Sequence, residues 1–282
     1  MGILFSNLGN FEIKDIDAGY RLECENTVEE AARLIRQYSG SVCVITGAGI
    51  SSHALPTFRS NNHNGLWEAL SIPNYSREKF YEDPNIAWKL IANIRNLQLQ
   101  GDLKPSLAHK ILHELVQKHV VSSIITQNVD SLHTFKNSND RIFELHGAVD
   151  DYGFCEKCKQ KKNVDLLQVL QTCESPHCDV CQSVLMPSVK FFQDKIDEGV
   201  RKGAYNEIQK CDVLFLVGTH CEVDPVLSFA EVAKQNGTIL IEVNTETTRA
   251  TPFMDVVLRG KSDDIFRQIY QELYPSENVD IL

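Results

Sequence analysis

Four cysteines carry the most specific chemical signal in the chain. Cys155-x2-Cys158 and Cys178-x2-Cys181 are separated by 19 residues, a double-knuckle spacing in which each pair spans one edge of a tetrahedron and four thiolates close the shell of a zinc ion. A closed shell leaves no position for a reactive water. The expected role is therefore structural, with the ion holding together a small lobe that has little core of its own. Cys173 and His177 lie nearby but belong to no pair spaced by two residues, so they rank below these four as ligands. Cys24, Cys43, Cys211 and Cys221 read as core thiols.

A second candidate is Gly47-Ala48-Gly49-Ile50-Ser51. Glycines at this spacing let the backbone approach a pyrophosphate at a helix N-terminus. A Gly-x-Gly without its third glycine is as often a plain turn, and its surroundings must decide.

Those surroundings are legible as alternating elements. Val28 to Gln37 has apolar residues at helical spacing, and the apolar run Ser41 to Thr46 ends at the glycines. An amphipathic helix from about Ser106 to Lys118 precedes a β-rich run, Val120 to Thr126. Val213 to Val217 ends in Gly218, Thr238 to Val243 and Asp255 to Leu258 supply further buried strands, and Asp263 to Leu273 closes the chain with a helix. This alternation predicts an α/β fold with a Rossmann-like doubly wound parallel sheet. Ligands of such sheets sit beyond the carboxyl ends of the strands.

Two stretches break the alternation: a helical one over 61–100 and a Cys/Lys-rich one over 151–187. They are expected to form a smaller helical and zinc-ribbon lobe, while 1–60, 101–150 and 188–282 form the nucleotide-binding lobe.

The chain has 282 residues, 43% apolar and 23% charged, with 15 Gly and 9 Pro, which excludes disordered and collagenous classes. Its formal charge of −10 argues against a general surface for DNA or RNA. The cluster Lys157, Lys159, Lys161 and Lys162 reads as a solvated face. Nine cysteines, an odd number, fit a reducing compartment, and an intracellular protein of cytoplasm or nucleus is expected. No run is long enough for a membrane span. Met1-Gly2-Ile3-Leu4-Phe5-Ser6 matches a myristoylation acceptor without a following basic stretch, so only weak, reversible membrane contact is expected if Gly2 is acylated.

Taken with the glycines, Pro56-Thr57-Phe58-Arg59-Ser60, Thr126-Gln127-Asn128-Val129-Asp130-Ser131-Leu132-His133 and Glu144-Leu145-His146-Gly147 strongly resemble the sirtuins. The two cysteine pairs, Pro187-Ser188-Val189 with Phe192, Gly218-Thr219 and Val243-Asn244 follow collinearly, so the resemblance covers about residues 28 to 273. It implies an NAD-dependent protein-lysine deacylase that releases nicotinamide and O-acyl-ADP-ribose from an acyl-lysine protein or peptide. It further implies catalytic roles for His146 and Asn128, with His146 taking a proton from a ribose hydroxyl. NAD contacts carry over to Gly47, Ala48, Gly49, Phe58, Arg59, Gln127, Asn128, Val129, Asp130, Gly218, Thr219, His220, Asn244 and Glu246, and acyl-lysine contacts to Val189 and Phe192. The peptide backbone is expected to add as a strand beside that last segment. His133 reads as structural.

The chain departs from the family pattern in places. The loop between Ser51 and Pro56 is one residue short, Thr57 replaces an aspartate, Gln193-Asp194 replace Gly-Glu, Lys190 replaces an apolar residue and His220 replaces a serine. Ile91 and Ile94 stand where members that take acidic acyl groups carry Tyr and Arg. A buried acyl carboxylate would there be unpaired, so acetyl or longer aliphatic acyl groups are expected. The altered loop and Gln193 keep open a second reading, an NAD-consuming mono-ADP-ribosyltransferase or NAD hydrolase of the same fold. A non-enzymatic NAD-sensing module is a third, weakened by the co-occurrence of Phe58, Arg59, Gln127, Asn128, Asp130 and His146.

Overall fold

The computed structural model describes residues 26–52, 75–133, 141–192 and 194–279. Its centre is a six-stranded sheet built from β1 (Val42–Thr46), β2 (Val121–Thr126), β3 (Ile142–Glu144), β7 (Val213–Val217), β8 (Ile239–Asn244) and β9 (Val256–Arg259). The order is β3-β2-β1-β7-β8-β9, with every neighbouring pair parallel. Chain order reverses between β1 and β7. The carboxyl ends of these two strands therefore frame the crevice in which a doubly wound sheet binds its ligand.

Both faces of this sheet are covered, and β7 shows how the sequence arranges it. Successive side chains of a strand point to opposite faces. Val213, Phe215 and Val217 pack in a core with α1 (Val28–Gln37), α4 (Leu107–Gln117) and α8 (Ser262–Leu273). Leu214 and Leu216 pack in a second core with α6 (Glu198–Lys210) and α7 (Val226–Gln235). A strand buried on both faces needs no polar residues, which explains the unbroken apolar run VLFLV. Cys43 and Cys211 belong to that second core, as does Cys221, so these three are the buried thiols the sequence suggests. Cys24 lies outside the described residues.

The helices are fixed by their ends. Thr27 caps α1 by accepting from Glu30 N at 3.1 Å. Ser106 and His109 form a reciprocal capping box at the start of α4. The expected strand and helix positions agree to within a residue of these elements. Three elements have no counterpart in the sequence reading: β3, three half-buried residues at the sheet edge, and the helices α6 and α7.

A third core belongs to the smaller lobe. Helices α2 (Arg77–Glu82) and α3 (Pro84–Gln100) occupy the described part of the 61–100 stretch, and residues 61–74 lie outside the described residues. The Cys/Lys-rich stretch forms an antiparallel sheet of order β5-β4-β6 from β4 (Tyr152–Cys155), β5 (Gln160–Asn163) and β6 (Met186–Pro187), together with α5 (Leu166–Thr172). Trp88 of α3 joins the two parts. It is fully buried, and its Nε1 donates to Leu185 O at 2.8 Å, which satisfies the one polar group of an otherwise apolar side chain. No helix among the described residues is long and apolar enough to cross a membrane. The acceptor glycine Gly2 lies outside the described residues.

Candidate active site

The glycines after β1 are required by the packing of the fold itself. They lead into a one-turn 3-10 helix, Ala48–Ser51, rather than a described α-helix. A Cβ on Gly47 would lie 2.7 Å from Thr219 Cβ, and one on Gly49 would lie 2.7 Å from Gly218 Cα. Gly49 N also donates to Gly218 O at 2.8 Å. The room left by the missing side chains is thus filled by the loop after β7, and the two strand ends interlock backbone to backbone.

Gly218 completes the interlock with φ of +59°, where a Cβ would meet Ile50 N at 2.6 Å. The neighbouring candidates attach to it in turn. Gln127 Nε2 donates to Thr219 Oγ1 at 2.7 Å, and Asn244 Nδ2, at the end of β8, donates to Thr219 O at 3.0 Å. His220 and Glu246 lie further out, with His220 Nε2 3.5 Å from the exposed Glu246 carboxylate.

The segment after β2 turns back over this floor. Asn128 N donates to Thr126 Oγ1 at 3.0 Å, and its Nδ2 donates to Gly47 O at 3.2 Å. Asp130 is buried, and its Oδ2 accepts from Ser51 Oγ at 2.7 Å while Oδ1 accepts from Leu132 N at 3.1 Å. From the other lobe, Gln98 Nε2 of α3 donates to Asp130 O at 2.6 Å. Behind them, His133 is buried with Nε2 2.9 Å from Thr46 Oγ1 and its ring 4.5 Å from that of His109. Burial pushes its pKa down to about 3, so it is neutral at any working pH. It is a packing residue.

His146 reaches the same place from β3. Glu144 pairs with Thr126, which sets the residues that follow β3 beside the segment that follows β2. The next residue, Gly147, has φ of +70°, and a Cβ there would lie 2.3 Å from Ser188 O. Only glycine fits. The resulting turn lets Lys190 N donate to His146 O at 2.8 Å, tying the histidine to the 188–192 segment. Half burial of the imidazole lowers its pKa below the ordinary histidine value.

One cavity of about 1280 Å³ gathers these groups. Its walls include Ala48, Ser51, Gln127, Asn128, Val129, Asp130 and His146, and also Val189 and Phe192. Ile91 and Ile94 of α3, each 1% exposed, line it on the side of the smaller lobe. Gly218, Thr219, His220, Asn244 and Glu246 are not among the described lining residues; the first two and Asn244 support the loop from below. Phe58 and Arg59 lie outside the described residues, as do Thr57 and Gln193. Sequence reasoning gave no role to Ser51, although it belongs to the glycine motif. Gln98 was missed altogether, since a polar residue on an amphipathic helix carries no signal of a partner on another lobe.

The four cysteines converge as their spacing predicts. Their sulfurs all lie within 4.8 Å of one another, with Cys155 to Cys181 at 3.5 Å and Cys178 to Cys158 at 3.8 Å. Zinc–sulfur bonds of about 2.3 Å set tetrahedral edges of about 3.8 Å, so the donor set fits zinc. Cys158 N points at Cys155 Sγ at 3.3 Å, as expected of a knuckle that stabilises thiolate charge. Cys173 is exposed beyond α5, and His177 Nδ1 is engaged with Ser175 O at 2.9 Å; neither joins the cluster.

Comparison with known proteins agrees with this geometry. Residues 47–225 match the model of the Sir2 family. An NAD-dependent protein deacylase of Thermococcus sibiricus is 33% identical over 86% of this chain and 94% of its own length. An NAD-dependent protein deacetylase of Bacillus cereus is also 33% identical, over 82% of this chain and 92% of its own. Among solved structures, a Sir2 variant with deacetylated p53 peptide and 3′-O-acetyl ADP-ribose superposes with a TM-score of 0.75 at 26% identity, over 87% of this chain and 98% of that one. Sir2Af2 bound to a myristoylated histone peptide superposes with a TM-score of 0.68 at 27% identity, over 88% and 96%.

Proposed function

The chain belongs to the Sir2 family and is an NAD-dependent protein deacylase, and from that premise we propose that His146, Asn128 and the Ser51–Asp130 pair carry the reaction on acyl-lysine peptides. The observation that supports these roles is their convergence on one cavity that is also lined by the apolar residues Ile91, Ile94, Val189 and Phe192. Bound NAD supplies an electrophilic ribose carbon with nicotinamide as leaving group; the acyl oxygen of the lysine takes that carbon, and water finally frees the lysine and leaves the acyl group on ADP-ribose.

The protein's own groups divide the work. Asp130, fixed on both carboxylate oxygens, accepts from the carboxamide of nicotinamide. Asn128 and Gln127 hold the ribose, with Gln127 steadied by Thr219. His146 in its neutral form takes the proton of a ribose hydroxyl. Phe58 and Arg59 are assigned to the ribose face and the phosphates by the resemblance alone. Val189 and Phe192 line the way for the lysine stem, and Ile91 and Ile94 favour an uncharged acyl group.

We assign the two-lobe division to 60/61, 100/101, 150/151 and 187/188, supported by the core that α3 shares with the cysteine-bearing segment, to which Leu103, Leu132, Val149, Val189 and Phe191 of the larger lobe also contribute. Cys155, Cys158, Cys178 and Cys181 would hold one zinc there, away from the chemistry. An intracellular setting fits these reduced thiols.

The test is a mass-spectrometric time course with NAD and an acetyl-lysine peptide, against a control without peptide. Equal amounts of deacetylated peptide and O-acetyl-ADP-ribose, formed only with both substrates, are expected. Free ADP-ribose or ADP-ribosylated protein without peptide turnover would instead favour the transferase or NAD hydrolase reading.

A further inference from the structure

The cavity that holds His146 does not end at the residues assigned to the lysine stem. One wall continues from Phe192 through Ile196 onto α6, where Glu198, Arg201 and Tyr205 line it. The other continues from Val223 and Pro225 onto α7, where Ser228, Glu231, Val232 and Gln235 line it. Spacings of three, four and seven residues put each set on one face of its helix. The opposite side of α7, with Val226, Ala230 and Ala233, is buried in the core that both helices share against the sheet. Phe229 forms the floor between the helices, 4% exposed, with its ring 6.5 Å from that of Tyr205. The result is a groove between two helices that opens directly into the site.

This arm of the cavity is not where the far end of NAD belongs. Gly218, Asn244 and Glu246, to which the resemblance assigns that end, are not among its described lining residues. The lined faces of α6 and α7 each run seven residues, about 10 Å at 1.5 Å per residue, which is room for about three residues of an extended chain. A polypeptide whose lysine reaches His146 must leave across the mouth between Phe192 and Val223, and the groove begins at that mouth.

The lining says which side chain fits. The rim carries both signs, Lys195 and Arg201 with Glu198, Asp224 and Glu231, while Lys190 and Asp194 add one of each nearer the site. It therefore singles out no charged partner. Its apolar groups are distinctive, because Tyr205 is 38% and Val223 40% exposed, and both sit on a concave wall beside Ile196 and Val232. An exposed aromatic in a concave apolar setting is the usual anchor of a recognition surface.

We propose that the α6–α7 groove is a substrate subsite: it takes up a large apolar side chain two to five residues along the polypeptide from the acyl-lysine, with Tyr205 and Val223 as its specificity residues. This rests on the deacylase reading of the cavity. The physical basis is removal of apolar surface from water on both partners, which an alanine at the same peptide position cannot supply.

The experiment measures kcat and KM for acetyl-lysine peptides in an alanine background, with leucine or phenylalanine placed singly at positions two to five on either side of the lysine. Wild type, Tyr205→Ala, Tyr205→Phe and Val223→Ser are compared, and a capped acetyl-lysine amide without neighbours serves as reference. At one or more positions the apolar residue is expected to raise kcat/KM about ten-fold over alanine, through KM. That ratio should fall at least three-fold in Tyr205→Ala and in Val223→Ser and persist in Tyr205→Phe, while the capped amide is turned over equally by all four proteins. Absence of any apolar preference in the wild type would overturn the proposal, as would a preference undiminished in both Tyr205→Ala and Val223→Ser. A wild-type dimer that Tyr205→Ala splits in sedimentation would overturn it too, since a second copy would then cover the groove. If the wild type turns over neither the peptides nor the capped amide, the deacylase reading itself fails and this proposal with it.

Discussion

Ser51 Oγ donates to Asp130 Oδ2 at 2.7 Å across the carboxyl edge of the sheet, joining the turn after β1 to the loop after β2. Both residues are buried, so the bond is made to a carboxylate shielded from water, where charge-assisted bonds are strongest. Ser51→Ala removes it while leaving Leu132 N on the other oxygen. A hydrogen bond to a charged group contributes about 1.5–3 kcal/mol. Ser51→Ala is therefore expected to lower kcat/KM by about ten- to a hundred-fold, measured by steady-state deacylation. Wild-type kinetics in this variant would show that Asp130 is positioned by other means.

The glycine interlock makes a second prediction. Gly49→Ala would drive a Cβ to 2.7 Å from Gly218 Cα and 2.9 Å from Gly218 O, both backbone atoms that cannot swing aside. Overpacking of this kind costs about 1–3 kcal/mol, which lowers Tm by about 2–4 °C per kcal/mol in a domain of this size. Loss of NAD affinity should accompany it, because Gln127 and Asn244 both donate to Thr219 of the interlocked loop after β7. Gly237→Ala is the control: φ there is +82° but nothing lies within 4 Å of the added carbon. It should cost only the backbone strain, about 1–2 kcal/mol, with NAD binding retained in calorimetry.

The contrast between these residues and others explains what could be read from the sequence. The run VLFLV, the helical spacing of Val28 to Gln37 and the paired cysteines are signals carried within a few neighbouring residues, and each appears in the fold where its local pattern puts it. Strand β3 is three half-buried residues with no apolar run, and its existence depends on pairing with β2. Helix α6 buries only Ala204 and Ile208, too few to stand out as a stripe. In the site, the resemblance pointed to the residues at strand ends, but Gln98 meets Asp130 from 32 positions away and on another lobe. Contacts of this kind are set by tertiary packing and leave no local trace.

The cysteine cluster predicts a selective loss of the smaller lobe. Trp88 lies in its core and donates to Leu185 O, close to the strands that carry Cys155. In a Trp67→Phe background Trp88 is the remaining tryptophan of the chain, and chelation should shift its emission to the red as the lobe opens. Metal analysis should give about one zinc per chain in the wild type, the capacity of a single shell of four thiolates, and close to none in Cys155→Ser. Full zinc content and an unshifted spectrum in that variant would remove the four-thiolate site.

The pH dependence follows from two imidazoles, His146 half-buried and His133 buried. Burial lowers the pKa of His146 below the ordinary value, so its neutral form persists to lower pH. The acid limb of kcat/KM is therefore expected below about 6.5, the ordinary histidine pKa. His146→Ala should lose about 10²–10⁴-fold in turnover, the range of general-base catalysis, with no such limb. Stability carries the same sign. His133 titrates at about 3 when folded and near 6.5 when unfolded, so between these values the unfolded chain binds the extra proton. Its contribution is complete above about 6.5 and is lost progressively as pH falls toward about 3. Denaturant melts across that window should show the fall in the wild type and a slope smaller by about one proton in His133→Asn. A slope unchanged by that substitution would mean that His133 is already protonated in the fold.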